Sequence, residues 1–492
     1  MITTQNRWIR WAGVLCITTF CLGFAASNDS VATPPHAHTR APSSYMPLLS
    51  NNKCWDERPE GNEIGIQIYG SSGENEPDSR ILRNTQSAWI RNTVFWPAIE
   101  PIDLDPSQYL WDQADAALQA AKDNCINMIV TLDFTPSWAW TGGDRSPIQS
   151  DLLPEYAEFV QAMVERYDGD GKNDAPGGMV VNYWEFYNEP DFGPSSHGGG
   201  WGEFGAAYAE MLKTIHPEVH KANPNAKVVM GGLAYNYFTT DGGLFVREFL
   251  DDVLEAGGGR YFDIMNVHHY PFPRDRRNWT DSNSSGLVQK IADINKKLAD
   301  RDLVKPLMIT EVGWHSDNND LYPSTEEFQS RHIVQLLTQA VAVDAISAIW
   351  WSLADPVEYP YKTGLMAENR QLKASYDVYR ETVKRIGDGT FVKVVVPAVE
   401  TDLEVYQFIE SGTQKTFYIA WLNPIAPFNA QAKLTFDDSV TTKWETSGRS
   451  ATLYSKEGKP LKTVKDADDG KGNGKITVEV GRSPIYIVID EP

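Results

Sequence analysis

The segment NYWEFYNEPD, residues 182–191, contains the clearest strand boundary in the chain. Aromatic and apolar residues fill it as far as Tyr187, as in a buried strand, and Pro190 has no N–H to donate to a sheet. The strand must therefore end close to Asn188, which leaves Glu189 at its carboxyl end. A carboxylate at the end of a strand is a candidate catalytic group.

Further apolar runs of similar length occur on both sides of this segment, between residues 64 and 353. The predicted strands are 64–70, 89–96, 126–134, 180–188, 226–232, 262–270, 306–314 and 345–353. Segments with the spacing of amphipathic helices lie between them, for example PEYAEFVQAMVERY at 154–167. Strands and helices in this alternation predict an α/β fold, a (β/α)₈ or TIM barrel, whose chemistry lies at the carboxyl ends of the strands.

The chain has 492 residues, more than one such barrel needs, and its pattern changes near residue 388 to short alternating strands. We predict a catalytic barrel over 56–387 and a C-terminal antiparallel β-sandwich domain over 388–492. Two tryptophans of this second domain, Trp421 and Trp444, either bind glycan or belong to its core.

The N-terminus has the composition of an export signal, with two arginines before an apolar run and small residues at 25–27. We predict a signal peptide over 1–27 and a flexible leader rich in proline and serine over 28–55. The protein would then be secreted, to the extracellular space or the periplasm, without stable membrane insertion after signal cleavage. An uncleaved anchor helix is the alternative. Cys54 and Cys125 would remain, either as a disulfide or as separate thiols.

The formal net charge of −22 disfavours nucleic acid or an anionic membrane surface as a partner, because both would be repelled. A neutral ligand such as a carbohydrate is easier to accept. The 16 tryptophans support this class of ligand, since aromatic rings stack on the apolar faces of sugars.

The seventh predicted strand, in LMITEVGWHS at 307–316, carries a second carboxylate. Leu307, Ile309 and Glu311 share one side of the strand, so if Ile309 faces the barrel interior then Glu311 does too. Strands four and seven lie across a barrel from each other, which lets Glu189 and Glu311 face one another. Cleavage of a glycosidic bond needs such a pair of carboxyl groups.

YWEFYNEPD followed by MITEVGW resembles clan A of the glycoside hydrolases, and WIRNTVFWPAIEP with the later HHY is most similar to family 39 and its relatives. The resemblance covers residues 60–385. It implies that Glu189 is the general acid/base and Glu311 the nucleophile of a retaining enzyme. It implies neither a cofactor nor a catalytic metal.

The same resemblance implies roles for four neighbours of these carboxylates. Arg91 lies beside the nucleophile and lowers the pKa of its carboxyl group, or else forms an ion pair inside the barrel. Asn188 binds the sugar 2-hydroxyl, His268 lines the pocket, and Tyr270 donates a hydrogen bond to the nucleophile. Four tryptophans are also expected to bind substrate, and the last of them forms the floor under the sugar that is cleaved. They are Trp96, Trp138, Trp314 and Trp351.

The segment DGDGKND, residues 168–174, has acidic residues at alternate positions as calcium loops do, but it lacks the later ligands of an EF-hand. The sequence is compatible both with a structural calcium site and with a solvated turn at these residues.

These observations predict a retaining β-glycosidase that hydrolyses an oligo- or polysaccharide through a covalent glycosyl-enzyme. Two alternatives are a transglycosylase that uses the same residues and a glycan-binding barrel without turnover. Exo and endo action are both open, although the aromatic residues favour an elongated, endo-type cleft. The sequence does not identify the sugar, the linkage or the oligomeric state.

Overall fold

The computed structural model describes residues 63–68, 81–123, 126–193, 199–272, 278–279, 284–318, 322–356, 359–398, 401–424 and 438–491. The predicted signal peptide, the leader and both Cys54 and Cys125 lie outside these ranges. Within them, no helix combines the length and the apolar character needed to cross a membrane.

Parallel strands form one sheet in the first part of the chain. They are β1 (Ile64–Gln67), β2 (Trp89–Phe95), β3 (Asn127–Asp133), β4 (Tyr183–Asn188), β5 (Lys227–Gly232), β6 (Met265–His269), β7 (Leu307–Val312) and β8 (Ala345–Trp350). Their order in the sheet is β5-β4-β3-β2-β1-β8-β7-β6. Hydrogen bonds from Met230 N to Ile264 O (3.1 Å) and from His268 N to Leu233 O (2.7 Å) join β5 to β6. These bonds close the ring, which confirms the predicted (β/α)₈ barrel.

Helices cover the outside of the barrel. Those described in full are α1 (Trp96–Ile99), α2 (Asp112–Asp123), α3 (Leu153–Arg166), α4 (Gly205–Ala222), α5 (Phe249–Glu255), α6 (Leu287–Ala299), α7 (Glu326–Ala342) and α8 (Ala374–Gly387). The helix α3 shows why they form. It buries Tyr156, Phe159, Val160 and Met163, which recur at helical spacing, so one apolar stripe packs on the sheet while charged residues face water.

The barrel interior changes from apolar to polar along the strands. Near their amino ends, Trp89, Ile129 and Met308 belong to a separate apolar cluster. Two residues further along β2 and β3 lie Arg91 and Thr131, both buried. The apolar layer thus seals one end of the barrel, and the polar layer forms the base of the candidate site.

Ile309 and Glu311 do not share one side of β7, although strict alternation along the strand predicts that they do. Ile309 packs in the outer core shared with the helices. On β7, Ile309 pairs with Val267 but Glu311 pairs with the next residue of β6, His268, so Thr310 is an extra residue in the ladder. Such a β-bulge re-aims the chain. It lets Thr310 and Glu311, although adjacent, both point into the barrel.

The C-terminal part of the chain forms two antiparallel sheets, as predicted for a β-sandwich. The strands are β9 (Gly389–Val396), β10 (Leu403–Glu410), β11 (Thr416–Leu422), β12 (Thr441–Ser447), β13 (Ser450–Ser455), β14 (Pro460–Lys465), β15 (Lys475–Gly481) and β16 (Ile485–Glu491). A six-stranded sheet has the order β14-β13-β16-β11-β10-β9, and β12 pairs with β15. Trp444 lies in the core between the sheets. Trp421 is fully buried on the opposite face, so both tryptophans are core residues.

That opposite face packs against the barrel. Trp421 and Tyr406 stack with ring centroids 5.1 Å apart, and both belong to the same core as the barrel helices. Glu404 is buried beside them and accepts hydrogen bonds on both carboxylate oxygens. The donors are Ser284 Oγ (2.8 Å), Gln339 Nε2 (2.9 Å), Asn423 Nδ2 (2.7 Å) and Tyr406 Oη (2.6 Å). Because Ser284 precedes α6 and Gln339 lies on α7, this carboxylate connects the two parts of the protein.

Replacing Glu404 with alanine is expected to lower the free energy of unfolding by about 3 kcal/mol or more, because several buried donors lose their acceptor together. Chemical denaturation followed by tryptophan fluorescence measures the change. Glu445→Ala is the matched control, since that side chain of the same domain is 39% exposed and should leave the transition nearly unchanged. Equal stability of the two variants would contradict a structural role for Glu404.

Candidate active site

Both candidate catalytic carboxylates lie at the carboxyl ends of barrel strands. Glu189 directly follows β4, where Tyr187 (φ 64°) and Glu189 (φ 48°) have left-handed backbone conformations. Such conformations are rare outside glycine and concentrate at functional sites. One oxygen of Glu189, one of Glu311 and one ring nitrogen of His268 lie within 4.8 Å of one another. The structure therefore brings together the two carboxylates that the sequence pattern selected.

A buried arginine links Glu311 to a deeper carboxylate. Arg91 donates from Nη1 to Glu311 Oε1 (2.7 Å), and from Nε and Nη2 to the two oxygens of Glu185 (2.7 and 2.9 Å). Nη2 also donates to Asn188 Oδ1 at 2.8 Å. Burial raises the pKa of Glu185, but its contacts with Arg91 outweigh this and hold the pKa below its usual value. Arg91 is thus both a cation beside Glu311 and part of a barrel ion pair.

The second oxygen of Glu311 has its own donor. Tyr270 Oη donates to Glu311 Oε2 at 2.6 Å. Burial and the neighbouring Glu311 raise the pKa of Tyr270, so its hydroxyl stays protonated and remains a donor. Arg91 thus binds one oxygen of Glu311 and Tyr270 binds the other, so two donors fix the orientation of this carboxylate.

Glu189 has a different environment from Glu311. Burial raises its pKa to about 6, against the opposing charges of Arg145 and Arg91. Its carboxylate makes a contact of 3.1 Å with His268 Nδ1. The two carboxyl groups thus have unequal surroundings, because Glu311 receives hydrogen bonds from Arg91 and Tyr270 while burial dominates at Glu189.

A chain of hydrogen bonds indicates where the proton lies. Glu185 is ionised and accepts from Thr310 Oγ1 at 3.3 Å, so this hydroxyl accepts in turn from His268 Nε2 at 3.1 Å. Burial lowers the pKa of His268 to about 4, so its ring is neutral at neutral pH and Nδ1 carries no proton. Nδ1 is then an acceptor for protonated Glu189. Thr310 is thereby a positioning residue that favours the acid form of Glu189.

Replacing Thr310 with valine is expected to shift the alkaline limb of the kcat/KM pH profile to lower pH by about half a unit to one unit. Without the hydroxyl, His268 is free to place its proton on Nδ1 and donate to ionised Glu189, which lowers the pKa of that carboxyl group.

Thr131→Val is the matched control for this shift. Thr131 also donates to Glu185, at 2.8 Å, but to Oε2, whereas Thr310 donates to Oε1 and contacts His268. Its replacement should leave the profile in place. Equal shifts in both variants would mean that the effect passes through Glu185 and not through His268.

The remaining predicted residues divide by exposure. Trp351 retains 8% exposure and its ring stands perpendicular to Tyr270, with centroids 6.1 Å apart, so it lies beside the donor to Glu311. Trp138 is partly exposed and donates from Nε1 to Glu100 O at 3.3 Å. That Trp351 and Trp138 bind substrate stays a prediction.

Two tryptophans require a correction. Trp96 is fully buried, donates to Glu100 and packs against the rings of Tyr156, Phe159 and Trp138. Trp314 is 3% exposed and stacks on His332 at 4.4 Å. The prediction that Trp96 and Trp314 bind substrate is wrong, because neither ring has a free face. Sequence position at a strand end could not distinguish them from Trp351.

Some residues of the site were missed by the sequence analysis. Besides Thr310, Asp191 is buried and accepts from Tyr235 N (2.8 Å) and Ala234 N (3.1 Å), which ties the end of β4 to the loop after β5. Burial raises its pKa to about 7. Asp191 lies within NYWEFYNEPD itself, so its place two residues after Glu189 was an available signal. Gly232 was also missed, and a side chain there would collide with the ring of His268.

The acidic loop at 168–174 and the trio of Glu189, His268 and Glu311 both have the spacing of metal ligands. In the loop, Asp168 and Asp170 accept hydrogen bonds from backbone N–H groups, and Lys172 pairs with Asp170 at 2.8 Å. A calcium ion there stays a prediction. In the trio, the guanidinium of Arg91 already lies 2.7 Å from Glu311, which disfavours a cation at that place.

No protein-family model matches the sequence, and no curated protein matches it. Several solved structures, however, are similar to this chain in fold. A family 39 glycoside hydrolase from the gut symbiont Bacteroides cellulosilyticus WH2 is 17% identical with a TM-score of 0.64, over 88% of this chain and 82% of that one. The chain has the fold of a glycoside hydrolase.

Two further hydrolases share this fold. A monomeric β-xylosidase from Caulobacter crescentus CB15 is 16% identical with a TM-score of 0.55, over 88% of this chain and 98% of that one. A family 30 endoxylanase from Clostridium papyrosolvens C71 is 13% identical with a TM-score of 0.53, over 88% and 97%. Families 39 and 30 belong to clan A, the clan that the sequence motifs resemble.

Proposed function

We propose that this protein is a retaining β-glycosidase that hydrolyses an oligo- or polysaccharide. The observation that carries the proposal is the unequal carboxylate pair. Glu311 receives hydrogen bonds from Arg91 and Tyr270 on its two oxygens, whereas burial raises the pKa of Glu189 to about 6. The fold shared with glycoside hydrolases supports the same class of reaction.

The reaction would proceed by two displacements. In the first, Glu311 attacks the anomeric carbon, the bond to the leaving oxygen breaks, and Glu189 gives its proton to that oxygen. In the second, Glu189 takes a proton from water, the water oxygen attacks the anomeric carbon, and Glu311 leaves as a carboxylate. Arg91 and Tyr270 hold Glu311 in position and stabilise its charge when it is released.

The separation of the carboxylates favours retention. One carboxylate oxygen of Glu189 lies within 4.8 Å of one carboxylate oxygen of Glu311. Retaining enzymes place the two carboxyl groups about 5–5.5 Å apart, while inverting enzymes need roughly 6.5–9.5 Å to admit a water molecule between carboxylate and sugar. The smaller gap suits direct attack by Glu311.

An exposed aromatic pair supports a substrate with more than one sugar. Phe95, at the end of β2, is 39% exposed and stacks on Phe134 with ring centroids 4.9 Å apart and planes 14° apart. Phe134 follows β3, the neighbour of the strand that ends at Glu189. Because Glu189 would protonate the leaving oxygen and follows the neighbouring strand β4, we propose that a sugar of the leaving group stacks on this pair.

Replacing Phe95 with alanine is expected to raise KM for a polysaccharide about two- to tenfold, the size of one aromatic stacking contact. Initial-rate kinetics would measure it. Hydrolysis of an aryl glycoside with a single sugar is the internal control and should keep its KM. An equal change with both substrates would contradict a role limited to the leaving-group side.

The experiment that tests the function is a panel of β-linked polysaccharides and aryl β-glycosides, with released reducing ends and transfer products both quantified. Hydrolysis as the main outcome would support the proposal. Mainly longer products would favour the transglycosylase, in which a sugar hydroxyl replaces water in the second step. Tight glycan binding with neither product would favour the binding barrel.

We further propose that carbohydrate is the protein's physiological ligand and that the protein is exported. The proposal of export rests on residues 1–27, whose charge and hydropathy pattern is that of a signal peptide. Edman sequencing or mass spectrometry of the mature N-terminus would test it.

A further inference from the structure

We propose that His216, His220 and Asp263 form a binding site for a divalent transition-metal ion, with Zn²⁺ as the first ion to test. The site lies at the amino-terminal end of the barrel strands, where Asp263 precedes β6. The candidate active site is at the opposite end of the strands, so this metal would be separate from the glycosidase chemistry.

The two histidines lie one helical turn apart on the same face of α4. Their ring centroids are 4.5 Å apart. Residues at this spacing on a helix are neighbours, and a pair of histidines four residues apart can bind one metal ion. Asp263 faces the pair, with His220 Nε2 3.2 Å from Oδ2 and His216 Nε2 3.8 Å from Oδ1. Both rings therefore present the same nitrogen to one carboxylate.

These distances match the spacing of ligands around a small metal ion. With metal–nitrogen and metal–oxygen distances of roughly 2.0–2.2 Å, two ligand atoms of a tetrahedral site lie about 3.3 Å apart. The observed 3.2 Å to Oδ2 and 3.8 Å to Oδ1 of Asp263 are close to this value, and one donor atom from each residue lies within 4.8 Å of the others. Small side-chain rotations would be enough to bind the ion.

The ligands are held in place from both sides. Val228 N donates to Asp263 Oδ2 at 2.8 Å, which orients the carboxylate. The helix α4 buries Ile215 and Val219, which directly precede the two histidines in sequence. Packing of this buried face fixes the orientation of the helix and so the position of the histidines on its other face. The three side chains remain about a quarter exposed, at 25%, 27% and 27%, which leaves a coordination position open to water.

The ligand types select the class of metal. Two imidazoles and one carboxylate suit Zn²⁺, Cu²⁺ or Ni²⁺, whereas Ca²⁺ and Mg²⁺ prefer sites built from oxygen atoms. The alternative is a simple hydrogen bond between His220 and Asp263 with no role for metal.

Bound metal would join α4 to the start of β6. Since the unfolded chain lacks this arrangement, an ion that binds only the folded protein raises the temperature of unfolding. We expect Zn²⁺ to raise this temperature in the wild type, and Ca²⁺ or Mg²⁺ to leave it unchanged at this site.

The test is isothermal titration calorimetry of the purified, chelator-treated protein with Zn²⁺. The His216→Ala and His220→Ala variants should each lose one binding site or weaken it at least about tenfold. Glu218→Ala is the matched control, because this residue lies between the two histidines on α4 and pairs with Lys221 at 2.8 Å. Any Zn²⁺ bound by histidines elsewhere, such as His36 and His38, contributes equally to the titrations of all variants.

A second measurement keeps the test decisive if a histidine variant folds poorly. Asp263→Asn keeps an oxygen for Val228 N, and Co²⁺ added to the wild type should give visible absorption bands of a nitrogen- and oxygen-ligated ion that this variant lacks. Identical Zn²⁺ stoichiometry and affinity in the wild type, His216→Ala and Asp263→Asn would overturn the proposal and leave the hydrogen bond as the role of this cluster.

Discussion

Replacing Glu311 with glutamine is expected to lower kcat by a factor on the order of 10⁴ or more on every substrate of the wild type. The amide keeps the shape of the side chain but cannot form the covalent ester with the anomeric carbon. Arg91, whose Nη1 now faces a neutral group, should still pair with Glu185, so the fold should remain. Steady-state kinetics with an activated aryl glycoside measures the loss.

A small external nucleophile provides the control for this variant. In Glu311→Ala, azide can occupy the vacated space and attack the anomeric carbon from the same face. The expected product is a glycosyl azide of inverted configuration, because one displacement replaces two. A Glu311→Gln variant with more than about a tenth of the wild-type kcat would mean that another group is the nucleophile.

Replacing Glu189 with glutamine is expected to reduce the rate according to the leaving group. With a polysaccharide, whose leaving oxygen needs a proton, kcat/KM should fall about 10²–10⁴-fold. With a dinitrophenyl glycoside, whose leaving group departs without a proton, kcat/KM should change little while kcat falls, because water still needs a base in the second step. The two substrates thus separate the acid role from the base role.

The pH profile tests the same residue. Glu189 must be protonated for the first step, and its pKa is about 6, so wild-type kcat/KM on a poor leaving group should fall about tenfold per pH unit above that value. In Glu189→Gln this alkaline limb should disappear. A profile that keeps the limb in the variant would assign the titration to a different group.

The strand pattern and the two carboxylates were predictable because they rest on local rules. Apolar runs bounded by Pro190 or glycine define strands, and parallel strands place their carboxyl ends on one side of a barrel. Glu189 and Glu311 follow from those rules.

Other features depend on contacts between distant residues, which one sequence does not reveal. The bulge at Thr310 arises from pairing with β6. Glu311 points into the barrel because of this bulge, and not because side chains alternate strictly along β7. The burial of Trp96 and Trp314 depends on helices and loops packed over them. Three of the four hydrogen bonds to Glu404 come from segments outside its own strand, at Ser284, Gln339 and Asn423.

The stereochemistry of the first product tests the central claim most directly. Proton NMR of an aryl β-glycoside or β-linked oligosaccharide that the enzyme cleaves, recorded within the first minutes of reaction, resolves the anomeric signals before mutarotation mixes them. We predict that the β anomer of the released sugar appears first and that the α anomer grows in later. An α anomer that appears first would contradict the double displacement by Glu311 and Glu189.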